Sequence, residues 1–353
     1  MEKIASEIEK YFFVKHFKDN VYIATKNWNF GSPRGLFGGQ VAAQTMAAAI
    51  LSVGPEFHIH SLHSYFLLPG KREIPIYFDV EKVRDGRSFA SRNVNATQDG
   101  KIIYTLSCSF QKPEPYAVNH QYVMPEVYPP EESLTDENRS DPKSDAFFYG
   151  IKGNFDIKLF GITDFCTRDV IPKDPELRRN FEIDLDEKKG YHKTDLSQVD
   201  GENDIRKPYS LRWFKIGEDL GNCTPQLSSV FLTLLSDYRL FATAALPYFW
   251  GYNFGKHNLE MSTSLDHSIW FHKPMRADQW LLFELECPRL LNGRAYITGR
   301  FYDQSGALVA SVAQENLHRS SPKTPDAINS LVYASAPPKL VETKQTRTIK
   351  NKL

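Results

Sequence analysis

Three polar residues stand where the surrounding pattern calls for apolar ones. Asp237, in "LLSDYRL", lies three positions after Leu234 and four before Phe241, on the apolar stripe of an expected helix. Gln314, in "SVAQE", keeps the inward phase of Leu308, Ala310 and Val312 along an alternating strand. Ser264 opens the stretch "SLDHSIWFHKP", and Asp266 shares its face by alternation. Burying a carboxylate, an amide or a hydroxyl costs free energy unless each finds a partner or a task. A carboxylate with a hydroxyl and an amide beside it can hold a water and take its proton, so the trio reads as a water-activating site. For Asp237 a second reading stays open at this point: a cap, or a buried hydrogen bond to backbone.

Other residues carry weaker chemical signals. "FGGQ" puts Gly38, Gly39 and Gln40 at the start of a helix, where backbone N–H groups can approach a developing negative oxygen. His63 and His267 recur at matching places in "SLHSYF" and "SLDHS" and read as satisfied strand-end histidines. Their functional alternative, shared with Asp266, is acid–base work. His257, His267 and His272 lack a metal-ligand spacing, and no G-x-S-x-G elbow, Walker loop or G-x-G-x-x-G occurs. No metal and no cofactor are expected.

The elements that must position these groups repeat. "SLHSYFLLPG" (Ser61–Gly70) is echoed by "SLDHSIWFHKP" (Ser264–Pro274), and alternating strands follow each copy. Turns fall at Gly86-Arg87 and Gly293-Arg294, and hairpins at Asp99-Gly100 and Ser305-Gly306. Ile102, Tyr104, Leu106 and Cys108 form the first inward row, with Cys108 in the place of Gln314. A helix precedes each strand block. The first runs from Gly38 to Val53 and is small or apolar all round; the second starts at Pro225 and ends before Pro247. One helix followed by long antiparallel strands, done twice, predicts an α+β fold in which each sheet wraps its own helix. The expected division is 1–112, an N-terminal unit; 113–178, a Pro-rich linker or insertion; 179–319, a C-terminal unit; and 320–353, a polar tail. "FEIDL" (Phe181–Leu185) and "YSLRWFKI" (Tyr209–Ile216) read as strands opening the second unit, and the N-terminus reads as a short amphipathic helix.

Composition limits the partners. The 353 residues carry 43 basic and 43 acidic side chains, so no net field draws nucleic acid. No apolar run is long enough for a membrane span. The four cysteines are isolated, which fits a reducing compartment.

"GLFGGQVAAQ", "LHSYFLLPG", "VRDGRSF", "LLSDYRL", "SLDHSIWFHKP" and "SGALVASVAQE", in that order, resemble the acyl-CoA thioesterase II (TesB-like) family, and among its members the fungal peroxisomal acyl-CoA thioesterases. The resemblance covers about Gly35 to Leu317. It implies a double hotdog and hydrolysis of fatty acyl-CoA to free acid and CoA. It also implies Asp237 as catalytic carboxylate, Ser264 as the hydroxyl residue and Gln314 as the glutamine. The alternatives are a hotdog-fold enoyl-CoA hydratase or dehydratase using His63 or His267, and a non-catalytic acyl-CoA binding protein. Hotdog units commonly pair, so a homodimer or higher homo-oligomer is expected. The final Asn351-Lys352-Leu353 resembles the Ser-Lys-Leu peroxisomal address, which would bring an import receptor as partner and the peroxisomal matrix as location, with the cytoplasm as alternative.

Overall fold

The computed structural model describes residues 1–28, 35–115, 118–132, 155–159, 163–170, 172–175, 207–238, 240–247 and 259–320. Helix α1 (Glu2–Phe12) buries Ile4, Ile8, Tyr11 and Phe12, which its period gathers on one face. It ends where Phe13 turns left-handed at φ 58°. The Tyr11 and Phe12 rings meet Phe231 at centroid distances of 5.3 and 4.9 Å, fastening α1 to a helix of the second half. Removing the Phe231 ring would cost about 3–5 kcal/mol.

Strands β1 (Val14–Lys18) and β2 (Val21–Ala24) lead to α2 (Gly38–Leu51). Every residue of α2 from Gly39 to Ile50 is buried, as its small, apolar composition requires. Then come β3 (His58–Phe66), β4 (Ile76–Asp85), β5 (Phe89–Gln98) and β6 (Lys101–Gln111). Asp99 and Gly100, at φ 51° and 71°, close the β5–β6 hairpin.

The second half opens with β7 (Phe155–Leu159), β8 (Thr163–Asp169) and β9 (Tyr209–Ile216), followed by α3 (Pro225–Ser236) and α4 (Leu240–Ala245). It closes with β10 (Leu259–Ser264), β11 (Asp266–Phe271), β12 (Leu281–Leu291), β13 (Arg294–Asp303) and β14 (Leu308–Ser320). Helices α2 and α3 lie antiparallel: Gly39 abuts Leu234 at one end, and Gln226 donates to the Pro55 carbonyl at the other.

Strand pairing joins both halves into one sheet, in the order β1-β2-β4-β5-β6-β3-β11-β14-β13-β12-β9-β8-β7, with β10 beside β14. The junction is β3 against β11, so the two echoing stretches pair with each other. The same bulge marks both halves, between Ala96 and Thr97 against β6 and between Phe301 and Tyr302 against β14. This is the expected double hotdog, with its main core between the sheet and the helices.

Four expectations need correction. The second helix is not continuous to Pro247: Tyr238 N–H turns back to the Leu235 carbonyl, so α3 stops at Ser236 and Asp237 becomes its C-cap. The segment 113–178 is not all connection. It contains β7 and β8, and Val127 and Val170 cover the outer face of the second half's sheet with Trp213, Leu282 and Tyr302. The bulges also turn the first residues of two rows, leaving Ile102 exposed and Leu308 in that outer cluster. Finally, the two histidines are not equivalent. Register sets His63 opposite Ser268 and Ser64 opposite His267, and adjacent pairs of an antiparallel ladder face opposite sides. Phe181–Leu185 and residues 321–353, with the tail address, lie outside the described residues.

Candidate active site

The break after α3 brings Asp237 to the start of α2. Its carboxylate is buried, only 6% exposed, and Oδ1 accepts from Ser264 Oγ at 3.2 Å and from Gln314 Nε2 at 3.0 Å. Gly39 N–H adds a backbone hydrogen bond. The carboxylate thus sits between the negative end of its own helix and the positive end of α2. Burial pushes its pKa up from 3.8 to about 6, against the pull of Gln314, Ser264 and Gly39 toward the ionised form.

Close approach explains the glycines. A Cβ on Gly38 would lie 2.7 Å from Asp237 Oδ2 and 2.7 Å from the Phe66 ring. A Cβ on Gly39 would lie 2.5 Å from the Leu234 carbonyl oxygen.

Gln314 joins the parts. Its Nε2 lies 3.0 Å from Asp237 Oδ1, 2.8 Å from Ser264 Oγ and 3.3 Å from Asn316 Oδ1. Its Oε1 meets His267 Nδ1, and His267 Nε2 lies 2.8 Å from Ser236 Oγ. A carbonyl oxygen only accepts, so Nδ1 of His267 carries the proton, while the single Ser236 hydroxyl proton lies between two acceptors, His267 Nε2 and the Thr233 carbonyl, each at 2.8 Å. Turning the Gln314 amide over would set its oxygen against the Asp237 carboxylate, which the charge forbids. Burial holds His267 down at about 4, so the imidazole is neutral and the chain His267–Gln314–Asp237 runs in one direction.

Alternation along β14 places Gln314, Asn316 and His318 on its buried face, and Asn316 Nδ2 reaches Ser264 Oγ at 3.4 Å. Asn316 and the relay through His267 were missed from the sequence. Asn316 was legible, since it continues the inward row by two residues. The relay was not, because it depends on the helix break that brings Ser236 to β11.

Of the other candidates, the structure places Gly38 and Gly39 against Asp237. Gln40 turns away: its side chain accepts from Trp28 N–H at 3.0 Å and points its amide at Asn27 and Gln44. Asp266 does not join the trio, because Leu265 interrupts the strand and the Asp266 carboxylate accepts from Glu315 N–H at 2.8 Å. His63 is exposed on the outer face, 3.1 Å from Ser268 Oγ. Neither histidine suits the acid–base work of a hydratase, since His63 is outside and His267 is sealed between Ser236 and Gln314.

The first half carries no second copy. Cys108 pairs with Leu62 where Gln314 meets His267. Opposite Cys108 stands the buried Arg92, holding the Ser52, Arg84 and Ser91 carbonyls and the Asp85 carboxylate.

A cleft of about 410 Å3 opens beside the trio, between the halves. Gly38, Phe66, Leu67 and Tyr104 line it from the first half, and Met261 and Ser264 from the second.

Family models described as the acyl-CoA thioesterase N-terminal domain and C-terminal domain match residues 25–111 and 164–318. Acyl-coenzyme A thioesterase 8 of Homo sapiens is 32% identical over 301 residues, covering 83% of each chain. Peroxisomal acyl-coenzyme A thioester hydrolase 1 of Saccharomyces cerevisiae is 27% identical over 316 residues, covering 80% of this chain and 85% of that one. The solved structure of an acyl-CoA thioesterase II from Mycobacterium marinum superimposes with a TM-score of 0.62 at 28% identity, covering 90% of this chain and 98% of the other.

Proposed function

The chain belongs to the acyl-CoA thioesterase family and is a thioester hydrolase acting on acyl-CoA, and from that premise we propose that Asp237 is the general base for direct attack by water. The observation that carries this reading is the convergence of Ser264, Gln314 and the Gly39 N–H on one buried carboxylate. Asp237 takes a proton as the water oxygen adds to the thioester carbon, and the carbonyl electron pair moves to oxygen. Collapse restores the carbonyl and breaks the C–S bond, and the proton returns from Asp237 to the CoA sulfur. No covalent enzyme intermediate forms. Ser264 and Gln314 hold the base, and His267 is a positioning residue that fixes the direction of the Gln314 amide.

The acyl group in this reading is a fatty chain, which suits the apolar wall of Leu36, Val41, Phe66, Leu67, Ile103 and Met261 along the cleft. Replacing Asp237 by Asn tests the base. Thiol release from saturated acyl-CoAs should fall about 10²–10⁴-fold in kcat with the fold intact, and near-normal turnover would refute the assignment.

The working location we propose is the peroxisome, supported by likeness to the Saccharomyces protein named for that compartment. A fluorescent protein fused ahead of the full chain should appear in peroxisomal puncta, and a purely cytosolic signal would reject this. The working unit we propose is a homo-oligomer, resting on the habit of hotdog units to pair; a single-chain mass by light scattering would reject it.

A further inference from the structure

Tyr104 stands out among the buried polar groups around the cleft. It occupies the inward row of β6 and is fully buried, opposite Phe66 of β3. The two rings lie 4.9 Å apart between centroids, so packing fixes the phenol. Among the described residues its hydroxyl finds no hydrogen-bond partner. The Ser64 hydroxyl lies near enough to favour the ionised form of the phenol, but Ser64 donates its own proton to the His267 carbonyl at 2.7 Å. A buried hydroxyl left unpaired bears its full desolvation cost, and such groups in native proteins call for a reason.

The position of Tyr104 supplies one. It lines the same cleft as Gly38 and Ser264 and feels the charge of Asp237. Burial first, then that charge, keeps the phenol protonated throughout the working range, so it can only be a neutral donor. The backbone donors at the start of α2 are also partly spent. Gly39 N–H goes to Asp237 and Gln40 N–H to the Phe37 carbonyl at 3.1 Å. Gly38 N–H, at the first position of α2, has no backbone acceptor among the described residues.

We propose that the Tyr104 hydroxyl, with the Gly38 N–H, donates a hydrogen bond to the thioester carbonyl oxygen and to the oxyanion formed when water adds. The proposal rests on Asp237 as the base. Tyr104 keeps its proton throughout: the electron pair displaced from the carbonyl is held on oxygen and returns when the C–S bond breaks. A donor aimed at the position where charge develops acts on the transition state more than on the bound substrate.

The test compares Tyr104→Phe and Asp237→Asn with the wild type, using decanoyl-CoA and palmitoyl-CoA, thiol release and urea unfolding. Tyr104→Phe should lose roughly 10²-fold in kcat, keep KM within about threefold, retain the wild-type pH limb and be as stable as the wild type or more so. A structural hydroxyl would give the reverse pattern, lower stability with kcat kept. Turnover within about twofold of wild type, or a loss of rate accompanied by unfolding, overturns the proposal. If Tyr104→Phe is fully active while Asp237→Asn is inert, only the Tyr104 assignment fails. If Asp237→Asn stays active, the base assignment fails and this one with it.

Discussion

The burial of Asp237 links catalysis to stability through one proton. Its pKa rises from 3.8 to about 6 on folding, and a displacement of that size is worth about 3 kcal/mol. Because the folded value lies above the unfolded one, the fold favours the protonated acid. That stabilisation is fully present below pH 3.8 and is lost as pH rises through 6. Activity has the opposite requirement, since only the carboxylate can accept a proton. Turnover should therefore climb with single-proton slope through pH 6. Over the same window the wild type should lose up to about 3 kcal/mol relative to Asp237→Asn, which has no proton to release. Urea unfolding of both proteins from pH 4.5 to 8 captures about 2 kcal/mol of that difference, the rest falling between pH 3.8 and 4.5, and titrations elsewhere in the chain, such as those of His58 and His60, cancel in it. A stability difference that stays flat across the window, or a rate with no limb near pH 6, would show that Asp237 is not the buried base described.

Other perturbations separate position from packing. Gly38→Ala sets a methyl against the Asp237 carboxylate and the movable Phe66 ring, so kcat should drop while thermal stability stays close to wild type. Gly39→Ala meets the fixed Leu234 carbonyl at 2.5 Å and should cost about 1–3 kcal/mol by urea unfolding as well as activity. His267→Leu leaves Gln314 Oε1 and Ser236 without their partner; kcat should fall about tenfold or more with KM little changed, and stability by about 1–3 kcal/mol. His267→Gln, which can still donate to Gln314, should recover part of the rate. Arg92→Met strips donors from the Ser52, Arg84 and Ser91 carbonyls and should cost about 2–4 kcal/mol in urea unfolding, leaving kcat unchanged because Arg92 holds the Ser52 end of α2, opposite the Gly38–Gly39 end that meets Asp237.

Much of the molecule was legible because local periodicity records which side of an element faces the core. Alternation in β14 marks Gln314 as inward, and the small, apolar run of α2 marks a helix enclosed on all sides. The repeat of one helix and its strands announced two similar units, and the matching bulges bear this out. Periodicity failed where a single residue changes the phase. Leu265 interrupts the strand between Ser264 and Asp266, which separates two residues expected to share a face. The helix expected to run through Asp237 stops there, since no local rule foretells a turn that long-range packing selects.

The chain by itself determined the residue types, the faces they occupy and the order of the two units. Only the tertiary structure decided which atoms meet. The junction of β3 with β11 and the antiparallel packing of α2 on α3 bring Gly39, Asp237, Ser264 and Gln314 together from distant parts of the chain. That junction also points His267 inward and His63 outward, although the two histidines look alike in sequence. The reason is physical: a local pattern sets orientation relative to the core, whereas the pKa and direction of a buried group follow from neighbours that only folding supplies.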